Sequence, residues 1–179
     1  MRNERLKMMI VAALFAAIIA VASQIMINVP PVPFTLMTIA VMLTATILGA
    51  KYGTFAVTVY VLMGVIGIPV FAGMTGGFGI VLGPTGGYLV AIIPAALFVG
   101  WYLDTFKYSR MQAIIANIIA VFIILILGSI WLKIVAELPW DAAFKGGMLP
   151  FILPDLAKAV VAALIGIIIR TRLVAAKLI

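Results

Sequence analysis

The sequence predicts an all-α integral membrane protein with six transmembrane helices, both termini cytoplasmic, and long Gly/Pro-rich outer loops. Three observations predict it. Hydrophobic residues make up 66% of the 179 and charged residues 9%, with a mean hydropathy of +1.36, which leaves too little polar surface for a soluble domain. The length accommodates about six stretches of ~20 residues, the number that a ~30 Å hydrocarbon core asks of each spanning helix. Residues 64–89 hold nine of the sixteen glycines and two of the nine prolines without a single charge. Glycine lets backbone turn and approach closely and proline removes a donor, so this stretch is no spanning helix. Being apolar as well, it reads as irregular backbone lining a cavity at the membrane surface, where non-helical chain is tolerated near lipid. Residues 1–179 form one six-helix unit on this reading.

The elements follow in order. Arg2, Arg5 and Lys7, set against Glu4, precede an apolar run over 8–29 that forms the first helix. Its basic start and Ala20-Val-Ala-Ser23 also mimic a secretory signal; we count it as a retained helix. Ala12, Ala16 and Ala20 recur every four residues beside Ala13 and Ala17. Such a small-residue ridge lets helix backbones approach closely in lipid, within this bundle or against another membrane protein. Prolines 30, 31 and 33 then force extended backbone over 29–34. The second helix covers 35–49, Lys51 lies in a tight Gly49-Ala-Lys-Tyr-Gly53 turn, and the third helix, 54–66, is interrupted by Gly64. The fourth begins at Gly86 or Gly87 and runs to 103, followed by a polar link over 104–110. The fifth spans 111–132. The longest and most polar connection, 133–154, leads to a sixth helix that starts at Asp155, just after Pro154, and ends by Arg170 ahead of a basic tail.

Charge sets the orientation by the positive-inside bias. With six spans, the N-terminus, the Lys51 turn, the Lys107 and Arg110 link and the tail share one side with nine of the twelve basic residues, against Lys133, Lys145 and Lys158 on the other. The first side is cytoplasmic. The Pro-rich first, Gly-rich third and long fifth connections then lie together outside, where they predict a binding site on a plasma-membrane protein. The net charge of +7 thus answers to the bilayer and calls for no nucleic-acid partner.

Several chemistries are excluded. With no Cys and no His, imidazole or thiolate metal sites, Cys nucleophiles and His triads cannot be built. No P-loop pattern occurs, and none of Ser23, Ser109 and Ser129 neighbours a candidate base in sequence. An enzyme is not expected, and neither is a cofactor. The spans also lack the buried acids typical of a proton-coupled carrier.

Among candidate site residues, Asp155 and Lys158 stand one turn apart on one helix face. A charge toward the bilayer centre costs ~2.5 to 3.5 kcal/mol on insertion scales, so such residues face an interior or a watery cavity. Either Asp155 caps the helix while Lys158 snorkels outward, or the pair meets a ligand, Lys158 pairing with an anionic group and Asp155 accepting a hydrogen bond. Tyr88 could stack on a flat ligand or anchor at the interface. Phe34, Phe71 and Trp140 could wall an apolar pocket or pack. Asn117, the one amide deep in a span, could bond between helices or reach a ligand.

Pro31-Val-Pro-Phe-Thr-Leu36, Gly67-Ile-Pro-Val-Phe-Ala-Gly73 with Gly76-Gly77, Gly83-Pro-Thr-Gly-Gly-Tyr-Leu89, and Asp155 with Lys158 resemble, in order and over most of the chain, the BioY family of biotin-specific substrate-binding (S) components of energy-coupling-factor (ECF) transporters. Met37, Ala91 and Leu153-Pro154 depart from the residues expected there. The resemblance implies a six-helix protein that binds biotin from outside and docks on a transmembrane coupling protein bearing two ATPase subunits. Reorientation of the whole component, driven by ATP hydrolysis, would turn the site inward. It implies docking of the coupling protein on Ala12, Ala16 and Ala20. Backbone amides of the third connection, among them Gly73, Gly77 and Gly86, with Tyr88 and Asp155, would address the ureido ring and Lys158 the carboxylate, or the two ends would be swapped. The alternatives are an S component for another vitamin, a self-sufficient biotin carrier active without ATPase partners, and an assembly protein with a filled outer face.

Overall fold

The computed structural model describes residues 2–28 and 30–179; Met1, Val29, where the first helix is expected to end, and the side chains of residues 2 and 3 lie outside the described residues. Among the described residues, seven α-helices carry the fold: α1 (Arg2–Gln24), α2 (Met37–Val65), α3 (Phe78–Leu82), α4 (Gly86–Phe106), α5 (Arg110–Val135), α6 (Trp140–Gly147) and α7 (Leu149–Ala175). Five stretches are long and apolar enough to cross a membrane: Glu4–Gln24, Met37–Val65, Gly86–Phe106, Arg110–Val135 and Trp140–Ala175.

The second of these folds back on itself. Gly49 has φ 75° and ψ −173°, outside helical geometry, and Tyr60 Oη lies 3.3 Å from Met37 Sδ, although a straight helix would part those residues by about 34 Å. Six long helical arms result, the two of α2 being 37–48 and 50–65. Glycine is required at the reversal because φ is positive and because a Cβ would run into Asp104 and Tyr108. The tight turn expected over 49–53 is thus confined to Gly49, and Lys51 lies in the first turn of the second arm.

α2 packs on α1, α4 and α7, and α5 packs on α4 and α7. Small residues permit this closeness, as helix packing in lipid demands. Ala12 and Ala16 are fully buried, Ala12 among Ile47, Leu48 and Ala56. Ala12 and Ala16 thus pack inside the bundle, Ala20 is half-buried, and Ala13 and Ala17 beside them are exposed. Asn117, fully buried on α5, donates to Thr46 Oγ1 at 3.0 Å and to the Ala113 carbonyl at 2.9 Å, joining α5 to the first arm of α2.

Proline does not mark the start of the last helix. α7 begins at Leu149, with Pro150 in its first turn and Pro154 inside. A proline at the first positions sacrifices only an amide with no helical partner, and Pro154 forfeits one further bond. Asp155 consequently sits in the second turn of α7 and does not cap it. The prolines of the first connection do not give extended chain over 29–34: Pro30 and Pro31 lie in a turn that joins β1 (Met26–Ile27) to its antiparallel partner β2 (Phe34–Thr35).

At the end of the bundle where the Gly49 reversal lies, Arg170 of α7 donates to the Ile47 carbonyl and its guanidinium lies 3.5 Å over the Tyr108 ring. Tyr108 donates to the Asp104 carboxylate, whose other oxygen accepts the Ala50 N–H at 3.0 Å. Burial first, then the Asp104 hydrogen bond, hold the Tyr108 phenol above its ordinary range, opposed by Arg170. This network locks the reversal to α4 and α7. The first, third and fifth connections meet at the other end.

Candidate functional site

Helices α2, α3, α4, α5 and α7 and the first and third connections line a two-lobed cavity at that other end. The wider lobe, about 160 Å³, has walls that include Met37, Phe71, Thr75, Ile80, Thr85, Tyr88 and Leu89. The narrower lobe, about 50 Å³, ends on Phe34, Thr38, Phe151, Asp155 and Lys158. Val32, Pro33, Thr35, Met37 and Tyr88 belong to both, so the lobes adjoin. The arrangement suits a small molecule with an apolar body and a few polar atoms at its ends.

The narrow end is electrostatically organised. Lys158 Nζ donates to Asp155 Oδ1 at 2.8 Å, to the Thr35 carbonyl at 2.7 Å and to Thr38 Oγ1 at 3.1 Å, and it lies 3.6 Å from the centroid of the Phe34 ring. An ammonium has three donors, so all three are already engaged, and the ring face adds cation–π attraction. The pair is buried, at 9% and 6% side-chain exposure, a situation tolerable only when both charges are compensated. Asp155 Oδ2 makes no protein hydrogen bond among the described residues. The free acceptor of the site is that oxygen, and the ammonium works as the pin that holds it and β2 in place.

Tyr88 contributes its ring to the walls, not its hydroxyl. Its Oη donates to the Gly147 carbonyl at 2.7 Å and lies 3.2 Å from Ser129 Oγ, so the phenol ties the fifth connection to α4 and α5. Phe71 is buried to 1% exposure, edge-on to Tyr60 with centroids 5.8 Å apart, and it fills the gap left by the missing side chain of Gly64, where a Cβ would strike the ring. Gly64→Ala should therefore destabilise the protein by about 1–3 kcal/mol through overpacking and displace the cavity wall, measurable as a lower melting temperature in detergent.

A profile for this family describes the chain over residues 1–175, as "BioY family". The chain belongs to the BioY family. It is 41% identical over 167 residues to the biotin transporter BioY2 of Lactococcus lactis subsp. cremoris, covering 93% of this chain and 92% of that one. It is also 41% identical over 162 residues to the biotin transporter BioY of Thermotoga maritima, covering 90% and 95%. A crystal structure of the S-component for biotin from an ECF-type ABC transporter superposes with a TM-score of 0.84 at 28% identity, over 96% of this chain and 94% of that one.

In this BioY chain the residues predicted from sequence separate into two groups. Phe34, Phe71, Tyr88, Asp155 and Lys158 line the cavity. Gly73, Gly77, Gly86 and Asn117 are absent from the walls of both lobes. Gly73 and Gly77 have φ of 72° and 107° and shape the third connection; Gly86 packs against the Val81 carbonyl, where a Cβ would collide. Trp140 is 63% exposed, with Lys133 Nζ 5.2 Å from its ring centroid.

The sequence reading passed over the clamp on the third connection. Gln24 Nε2 donates at 3.1 Å to the carbonyls of Val70 and Phe71, its Oε1 accepts the Met74 N–H at 2.8 Å, and Ser23 Oγ also donates to Val70 O. A polar Ser-Gln pair closing an otherwise apolar helix was the available signal. Thr35 and Thr38, the partners of Lys158, carried no signal beyond their place after a proline run.

Proposed function

We propose that this chain is the membrane-embedded, biotin-specific S component of an ECF-type transporter: it binds biotin in the two-lobed cavity and, with a transmembrane coupling protein and two ATPase subunits, delivers it across the plasma membrane. Membership of the BioY family makes it a transporter subunit and not an enzyme, with ATP hydrolysis left to the ATPase subunits. The carrying observation is the cavity walled by the first and third connections over the Asp155–Lys158 pair. All six helical arms cross the bilayer on this reading, both termini are cytoplasmic and the cavity opens outside, supported by the nine basic residues of the end that holds the termini.

The electrostatics favour one ligand direction. Asp155 and Lys158 together are neutral, and a carboxylate brought beside them would leave an uncompensated buried charge. A ureido ring is neutral and offers N–H donors to Asp155 Oδ2. The ureido group therefore enters the narrow lobe, the thioether ring lies between Met37 and Tyr88, and the carboxylate points toward the wider lobe, lined in part by Thr75 and Thr85. This assigns Lys158 to positioning, in place of the carboxylate contact expected from sequence.

Isothermal titration of the purified chain with biotin tests the binding. Saturable heat at one ligand per chain is expected; no heat at concentrations far above that of folded protein would reject it. A parallel titration of Lys158→Ala separates the two ligand directions: biotin and a neutral biotin amide should weaken alike, whereas a loss confined to biotin would put the carboxylate at Lys158.

A further inference from the structure

We propose that a cleft at the end opposite the cavity, between the start of α1 and the start of the second arm of α2, binds an anionic phospholipid. The cleft, about 380 Å³, is lined by Arg5, Met9, Lys51, Tyr52 and Phe55. Each wall repeats one pattern. Arg5 precedes Met9, and Lys51 precedes Phe55, by four residues, which places them one above the other on a helix face. Both helices run from this end toward the cavity, so on both walls a cation stands at the rim and an apolar side chain one turn deeper.

That is the order of groups along a phospholipid, charged head and then acyl chain. Met9 is 49% and Phe55 44% exposed, leaving apolar surface for a chain to cover. Neither Arg5 nor Lys51 pairs with a carboxylate among the described residues, and Lys51 Nζ lies 5.3 Å from the centroid of the Tyr52 ring. A guanidinium fork matches phosphate oxygens bidentately, an ammonium adds a point charge, and the phenol supplies a further donor. The positive ends of the two helix dipoles add to the attraction for an anion. Anionic lipids populate the cytoplasmic leaflet, the side on which this end lies in the orientation proposed above. The site is independent of what occupies the outer cavity.

Native mass spectrometry of the full chain, released from micelles doped equally with phosphatidylglycerol and phosphatidylcholine, tests the proposal. The wild-type chain should retain phosphatidylglycerol and shed phosphatidylcholine. Arg5→Gln/Lys51→Gln should retain it about fivefold less for each charge removed. Lys133→Gln/Lys145→Gln, which removes equal charge elsewhere, should match wild type, and Arg5→Lys should fall between wild type and the double variant. All variants are compared at melting temperatures equal to wild type, which shows them folded. Undiminished phosphatidylglycerol in Arg5→Gln/Lys51→Gln would overturn the site. Equal retention of the two lipids, or displacement of phosphatidylglycerol by inorganic phosphate alone, would overturn it too. A double variant that keeps its lipid but no longer co-purifies with the coupling protein would make the cleft a protein-docking surface and end the proposal.

Discussion

Asp155→Ala is expected to abolish biotin binding and to lower stability by about 3–5 kcal/mol, the cost of removing one partner from a buried ion pair. With the carboxylate gone, Lys158 Nζ keeps only the Thr35 carbonyl, Thr38 Oγ1 and the Phe34 ring, none of which carries a compensating charge. The cavity also loses Asp155 Oδ2, the acceptor assigned to the ureido donors. A hydrogen bond to a charged group is worth about 1.5–3 kcal/mol; added to a disordered narrow lobe, its loss lowers affinity by more than about a hundredfold, at 1.4 kcal/mol per factor of ten. Thermal unfolding in detergent and titration calorimetry read the two effects separately. Unchanged values for both would remove the ion pair from fold and site alike.

Gln24→Leu is expected to loosen the cavity wall without touching the ligand. The substitution keeps the approximate volume but withdraws the donor shared by the Val70 and Phe71 carbonyls and the acceptor of the Met74 N–H. Val70 O keeps the Ser23 hydroxyl and Phe71 O the Thr75 N–H, so the loss is that of the hydrogen bonds themselves, about 0.5–1.5 kcal/mol each, and the residues concerned frame Phe71, which walls the wider lobe. Biotin should dissociate at least about tenfold faster, since most changes in affinity within one site appear in the off-rate. Pulse-labelled biotin release measures it; Ser23→Ala, which leaves the amide clamp intact, should change the rate less. An unaltered off-rate in Gln24→Leu would show that the third connection is held by Gly64 and Phe71 packing alone.

Apolar content and spacing revealed the helical arms in sequence, because lipid enforces a length and a composition that few other environments do. The meeting of the first, third and fifth connections was equally legible, since alternation of spans leaves odd-numbered joints on one side. The details that decide the chemistry were not. Pro154 was read as a boundary, yet α7 begins at Leu149, because the first turns of a helix lose little to a missing amide. Glycine at 49 announced a tight turn over 49–53; only the structure shows that its positive φ alone reverses the chain, with residues 50–53 already helical. Asp155 and Lys158 announced themselves as charges in an apolar run, but which of them has an unused polar atom depends on Thr35 and Thr38, more than a hundred residues away in sequence. The alanine ridge of α1 shows the same limit: a small-residue stripe says that something packs closely against it, and only the fold says that at Ala12 the partner is α2.

The account rests on a vitamin lodged between the connections with its polar ring against Asp155. An experimental structure of the chain purified with biotin tests this most directly. Ligand density in the two-lobed cavity, with a ureido nitrogen within hydrogen-bonding distance of Asp155 Oδ2 and the Lys158 bond to the Thr35 carbonyl intact, is the predicted result. Density at any other place, or a biotin carboxylate seated on Lys158 with that bond broken, would contradict it.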